Sequence, residues 1–162
     1  MATKKPQGFW WIQLTFFLAL YIQALPIPTN ILIWRPEWLS LVLIYWALFT
    51  PQRVGILHGF GWGLLLDLIE GTLLGHNAVT LALVGYLCNR FYQRIRMYSA
   101  WKQSLVVLLM IVLSQLLFQW IQGVFGVMST LGFLLIPAAV SALLWPWVST
   151  LLHLFKRRFS LF

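Results

Sequence analysis

Few side chains in this sequence of 162 residues could do chemistry: three acidic residues (Glu37, Asp67 and Glu70), three histidines (His58, His76 and His153) and one cysteine, Cys88. The histidines are isolated and show no metal-ligand spacing. A lone cysteine excludes an internal disulfide and any multi-cysteine metal site. No Ser-His-Asp set, phosphate-binding loop or dinucleotide fingerprint occurs. The expectation is therefore no catalytic centre, no cofactor and no metal. The conspicuous residue is Asp67, set in "GFGWGLLLDLIEGTLLG" at 59–75 and flanked by Leu64, Leu65, Leu66, Leu68 and Ile69. A carboxylate in such a segment is a functional-site hypothesis by default. Gly59, Gly63, Asp67, Gly71 and Gly75 recur every four residues, close to one face of a helix and one turn apart.

The medium follows from composition. With 61% hydrophobic and 9% charged residues and a mean hydropathy of +0.86, the chain reads as an integral membrane protein. The net charge of +8 is scattered singly between apolar runs, which points to lipid phosphate and away from nucleic acid. Crossing a hydrocarbon core of about 30 Å takes about 20 residues. Six candidate spans emerge, at about 9–26, 36–51, 54–69, 72–88, 103–122 and 131–155. The stretch 54–88 would be about 52 Å as one helix, too long for one span, so a break is expected near Glu70, Gly71 and Gly75. Pro137 and Pro146 predict kinks in the last span.

Six spans with the N-terminus inside put ten of the eleven basic residues in the cytoplasm and leave only Arg35 outside, as the positive-inside rule requires. Both termini are then cytoplasmic, and Glu37, Asp67 and Glu70 fall at or near the outer face. Trp10, Trp11, Trp34, Trp38, Trp101 and Trp120 lie near span ends, as interfacial belts require. Lys4 and Lys5 before an apolar run also resemble a signal peptide, but no A-x-A site follows, and the segment is expected to stay as an anchor. The sequence thus predicts an all-α polytopic membrane protein, a six-helix bundle forming one transmembrane domain over 1–162.

The connections at about 89–102 and 123–130 are too short to hold a domain. Function must then reside on helix surfaces within the bilayer or in a cavity between helices. Gly59-x-x-x-Gly63 is a small-residue seam of the kind that lets backbones approach in lipid, either inside the bundle or at a partner interface. Asp67 and Glu70 precede the fourth span, whose N–H groups and positive dipole end would welcome a carboxylate folded back across the hairpin. A polar contact to a partner helix or substrate is the alternative. Gln115, Gln119 and Gln122, with Ser114 alongside, form a polar stripe on the fifth span, suited to interhelical hydrogen bonds or to lining a small cavity. Gly59, Gly63, Asp67, Gly71, Gly75, Gln115, Gln119 and Gln122 are the candidate helix-packing or partner interface.

The "RPEW" opening of the second span, Pro51 and Arg53 after it, and "GFGWGLLLDLIEGTLLGHNA" at 59–78 resemble the MreD rod-shape-determining proteins of bacteria. The pattern of Asp67, Gly71 and Gly75 is the most specific element, and the resemblance covers nearly the whole chain. It implies a non-catalytic, multi-pass inner-membrane subunit of the machinery for lateral peptidoglycan synthesis. The implied partner is MreC, and through it MreB filaments, the polymerase RodA and a class B penicillin-binding transpeptidase. The family is distantly similar to the substrate-binding S-components of energy-coupling-factor transporters, which makes a vitamin-transporter subunit the rival reading. Against it, Ala19 and Ala24 do not form the A-x-x-x-A motif of those subunits, and Ser129 and Thr130 are the only polar side chains an outer loop at 123–130 offers. A lipid flippase would need ionisable residues at the midplane, where none is found.

Overall fold

Helix-favouring apolar runs, broken at proline and glycine, give seven α-helices in the computed structural model, which describes residues 7–126, 130 and 132–159. They are α1 Gln7–Ala24, α2 Thr29–Leu32, α3 Trp38–Phe49, α4 Ile56–Glu70, α5 His76–Arg96, α6 Ala100–Val124 and α7 Gly132–Arg158. No strand occurs among the described residues. Lys4, Lys5 and Ser129 lie outside them. Each of the six expected spans has a helix at its place, and the short α2, seated between Pro28 and Arg35, was not anticipated.

The centre of the bundle is α3. Every residue from Leu39 to Leu48 is buried, with α1, α5, α6 and α7 packed around it. Its twelve residues extend only about 18 Å, short of a hydrocarbon core. A helix walled in by protein need not match the bilayer. Phe16 and Ile12 of α1, Trp62 of α4, Val84 and Cys88 of α5, Ile111 of α6 and Trp145 of α7 close the core about it. The indole of Trp46 donates to Thr15 Oγ1 at 2.9 Å, while Phe16 and Trp62 stack with centroids 5.4 Å apart.

Large apolar side chains also cover much of the outer surface. On α1, Trp10, Leu14, Phe17, Leu18 and Tyr21 are exposed while Ile12, Phe16, Ala19 and Leu20 are buried, so the helix is apolar all round, the mark of a segment with no watery face. By length and composition, Ala100–Val124 and Leu135–Arg158 suffice to cross a membrane; Gly8–Ala24 and Trp38–Phe49 are apolar but shorter. Trp10, Trp34, Trp101 and Trp120 are exposed, as is Trp147. The expected 89–102 connection is mostly helix: α5 runs on to Arg96 and α6 begins at Ala100. α7 continues unbroken as a helix through Pro137 and Pro146.

The hairpin of α4 and α5 is the tightest pairing, and glycine makes it so. A Cβ on Gly59 would fall on the Leu81 carbonyl, and one on Gly63 on the backbone of Ala78. One on Gly85 would lie 2.8 Å from the Gly55 carbonyl oxygen, a close approach the four-residue spacing did not flag. Gly63→Leu is accordingly expected to lower the unfolding midpoint of the protein in detergent, with a cost of about 1–3 kcal/mol or more for overpacking against backbone. Gly61 has open space around it, and Gly61→Ala should hold or raise the same midpoint, since alanine is the better helix former by about 1 kcal/mol.

Candidate functional site

α4 stops where glycine lets it. Gly71 adopts φ 67° and caps the helix, its N–H and that of Thr72 both returning to the Asp67 carbonyl, a glycine-terminated end with the longer bond of the Schellman type. Gly75 adopts φ 94° immediately before α5. No neighbour lies within 4 Å of a Cβ at either position. The regular spacing from Gly59 to Gly75 therefore is not one helix face. Gly59, Gly63 and Asp67 lie on α4, whereas Gly71 and Gly75 belong to the turn and serve by reaching the left-handed region, not by packing.

Asp67 is only 1% exposed, and its carboxylate is fully engaged. Oδ1 accepts from the Thr72 hydroxyl at 2.8 Å and the Asn77 N–H at 2.9 Å; Oδ2 accepts from the Gly75 N–H at 3.0 Å and the Ala78 N–H at 3.4 Å. Gly75, at the N-cap of α5, has no side chain to cap with. The carboxylate from the preceding helix takes over that work and faces the positive end of the α5 dipole. Glu70 instead accepts from the side-chain amide of Asn77 at 3.4 Å.

The second junction lies at the start of α3. Glu37 Oε2 accepts from the Ser40 hydroxyl at 2.8 Å, Oε1 accepts from the Gln115 amide on α6, and the Glu37 N–H donates to Ser141 Oγ of α7 at 2.9 Å. From α1, Gln23 Oε1 accepts the Leu39 N–H at 3.0 Å. One side chain each from α1, α6 and α7 thus ties down the beginning of α3. Beside this junction is a cavity of about 290 Å³, with Glu37, Glu70, Gln23, Asn77, Gln115 and Gln119 in its wall. Of the glutamine stripe, Gln115 and Gln119 reach the cavity and Gln122 does not.

The sequence reading missed Glu37 as an organising residue. The histidines also act within the fold. His76 stacks on Phe118, centroids 3.6 Å apart, and bonds its carbonyl at 2.8 Å, which requires the proton on Nε2 because a carbonyl only accepts. His58 Nε2 meets Gln13 Nε2 at 3.0 Å, and Gln13 Oε1 accepts the Trp62 indole N–H at 3.1 Å. His153 lies near the Phe49 ring.

Asp67 variants should rank by the number of acceptors they keep. Asn retains one acceptor oxygen and turns an NH₂ toward donors, so a loss of about 1–3 kcal/mol is expected; Leu leaves every one of these donors unpaired and should lose more. Unfolding midpoints of Asp67→Asn and Asp67→Leu in detergent check the order, and equal losses would assign the role to charge.

Residues 4–155 match the family described as rod shape-determining protein MreD. The chain is 35% identical over 158 residues to the rod shape-determining protein MreD of Haemophilus influenzae, a match covering 94% of each chain. No solved structure matches. A helical bundle with an apolar exterior, a glycine-lined hairpin locked by Asp67 and a family match across nearly its whole length together place this chain in the MreD family of rod shape-determining proteins.

Proposed function

We propose that this protein acts in rod-shape determination as a non-catalytic membrane scaffold, the subunit that holds MreC, and through it MreB filaments, RodA and a class B penicillin-binding transpeptidase, at the inner membrane. Family membership over residues 4–155 carries this reading. It is supported by an apolar helix face: on α1 the exposed residues Trp10, Leu14, Phe17, Leu18 and Tyr21 follow helical spacing and make one continuous strip. In lipid, such a strip recognises another helix by van der Waals fit, with small residues and polar groups setting the register.

In this reading six helices cross the bilayer, with α2 outside and both chain ends in the cytoplasm. The residue tally favours it: Arg53, Arg90, Arg94, Arg96, Lys102, Lys156, Arg157 and Arg158 then share the inner side with Lys4 and Lys5. The engaged carboxylate of Asp67 fits the scaffold role, since it spends its acceptors on the start of α5.

Depleting the protein from a rod-shaped bacterium should round the cells within a few generations with vitamin uptake unchanged, and detergent pull-down should recover MreC with it. Rods that persist after depletion would sink the proposal. A reporter fused after Phe162 should be accessible only from the cytoplasm; exterior accessibility would overturn the six-span arrangement.

A further inference from the structure

Phe49, the last residue of α3, is met by cations from two other helices. The Arg96 guanidinium of α5 lies over its ring with Cζ 5.5 Å from the centroid, and the Lys156 ammonium of α7 lies 5.7 Å from the same centroid. His153 of α7 brings its own ring to 6.3 Å. An aromatic face offers a quadrupole and no counter-charge, and here one ring serves two cations. No acidic side chain comes to their aid. Glu37, Asp67 and Glu70 are the only three in the chain; Glu37 and Glu70 share the cavity at the opposite end of α3, and Asp67 lies one turn from Glu70. Burial and then the charge of Arg96 push the Lys156 ammonium below its ordinary value, so the two cations are close enough to repel. The ends of α3, α5 and α7 each bring about half a negative charge, but Arg94, Arg157 and Arg158 in the last turns of α5 and α7 keep this end of the bundle positive.

We propose that Arg96 and Lys156 hold the phosphate of an anionic phospholipid headgroup beside the end of α3. Guanidinium and ammonium only donate, and phosphate oxygens supply the charged acceptors that the Phe49 ring lacks. Basic pockets between membrane helices take anionic headgroups for this reason. A zwitterionic headgroup carries its own cation and leaves the pair uncompensated. The level of the site favours an amphiphile over a free anion or an acidic protein segment: Trp147, Leu151 and Leu154 of α7 are exposed at helical spacing, and this apolar strip ends within one turn of Lys156, so an anion at that height comes with hydrocarbon alongside. Bound there, the phosphate ties α5 to α7 across the end of the central helix. The inference rests on the membrane setting of the bundle and is independent of the scaffold role.

The test uses the full chain, delipidated in a neutral detergent and offered phosphatidylglycerol or phosphatidylcholine of matched acyl chains, with bound lipid read by native mass spectrometry and unfolding midpoints followed in parallel. Phosphatidylglycerol should be retained about tenfold over phosphatidylcholine and should raise the midpoint, and Arg96→Gln and Lys156→Gln should each cut that preference about fivefold. Arg96→Lys keeps the charge and should keep most of the preference. Lys102→Gln removes a cation from the exposed start of α6 and serves as the control for diffuse attraction, so its preference should stay close to that of the unaltered chain. If one of the two glutamine variants does not fold, the other decides. Equal retention of the two lipids by the unaltered chain overturns the proposal, as does a loss in Lys102→Gln as large as in Arg96→Gln or Lys156→Gln. A midpoint that rises as much with inorganic phosphate assigns the site to a free anion, and capture of a poly-glutamate peptide without any lipid preference assigns it to an acidic protein segment; either result also overturns the lipid occupant.

Discussion

A helix that begins inside an apolar bundle must find partners for its first N–H groups within the protein, because lipid supplies none. That constraint explains where Asp67 sits. Asp67 gives both carboxylate oxygens to the start of α5. Glu37 stands at the start of α3, and Gln23 reaches over from α1 to take the Leu39 N–H. Negative charge at these positions also meets the positive end of the helix dipole. Asp67 is thereby spent on the start of α5, whereas Glu37 takes no backbone N–H of α3 and instead links the Ser40 hydroxyl to the Gln115 amide of α6.

The same economy governs packing. Between apolar helices in lipid, exclusion of water cannot drive association, so close backbone approach and local polar bonds must hold the pair. The α4–α5 hairpin has both: Gly59, Gly63 and Gly85 remove the side chains that would hold the backbones apart, and Asp67 fixes the turn. α3, buried along its whole middle, is held at its first turn by residues of α1, α6 and α7 and along its length by the core. Packing at the centre lets the outer faces of α1 and α6 remain apolar without loosening the bundle.

Much of this was legible in the sequence because its causes are local. Apolar runs ended by Pro26, Pro51 and the Gly71–Gly75 turn located the helices, and Asp67 lies within eleven residues of every group it bonds. Two local rules failed in instructive ways. Arg90, Arg94 and Arg96 read as the end of a helix, yet charge marks where a helix leaves lipid and not where it ends, so α5 continues through them. Four-residue spacing cannot tell a glycine that packs from one that reaches positive φ, and only the latter ends α4. The Glu37 junction stayed hidden for a different reason. Its partners Gln115 and Ser141 are 78 and 104 residues away, and no periodicity encodes which helices meet.

The cavity beside that junction runs against the rest of the bundle. A wall built only for stiffness gains from filling such a space with aliphatic side chains, since a buried acceptor without a partner costs about 1–3 kcal/mol and a void forfeits dispersion contacts. Here the space is instead bordered by α1, α3, α4, α5 and α6, and the unpaired Gln115 carbonyl belongs to the side chain that ties α6 to α3.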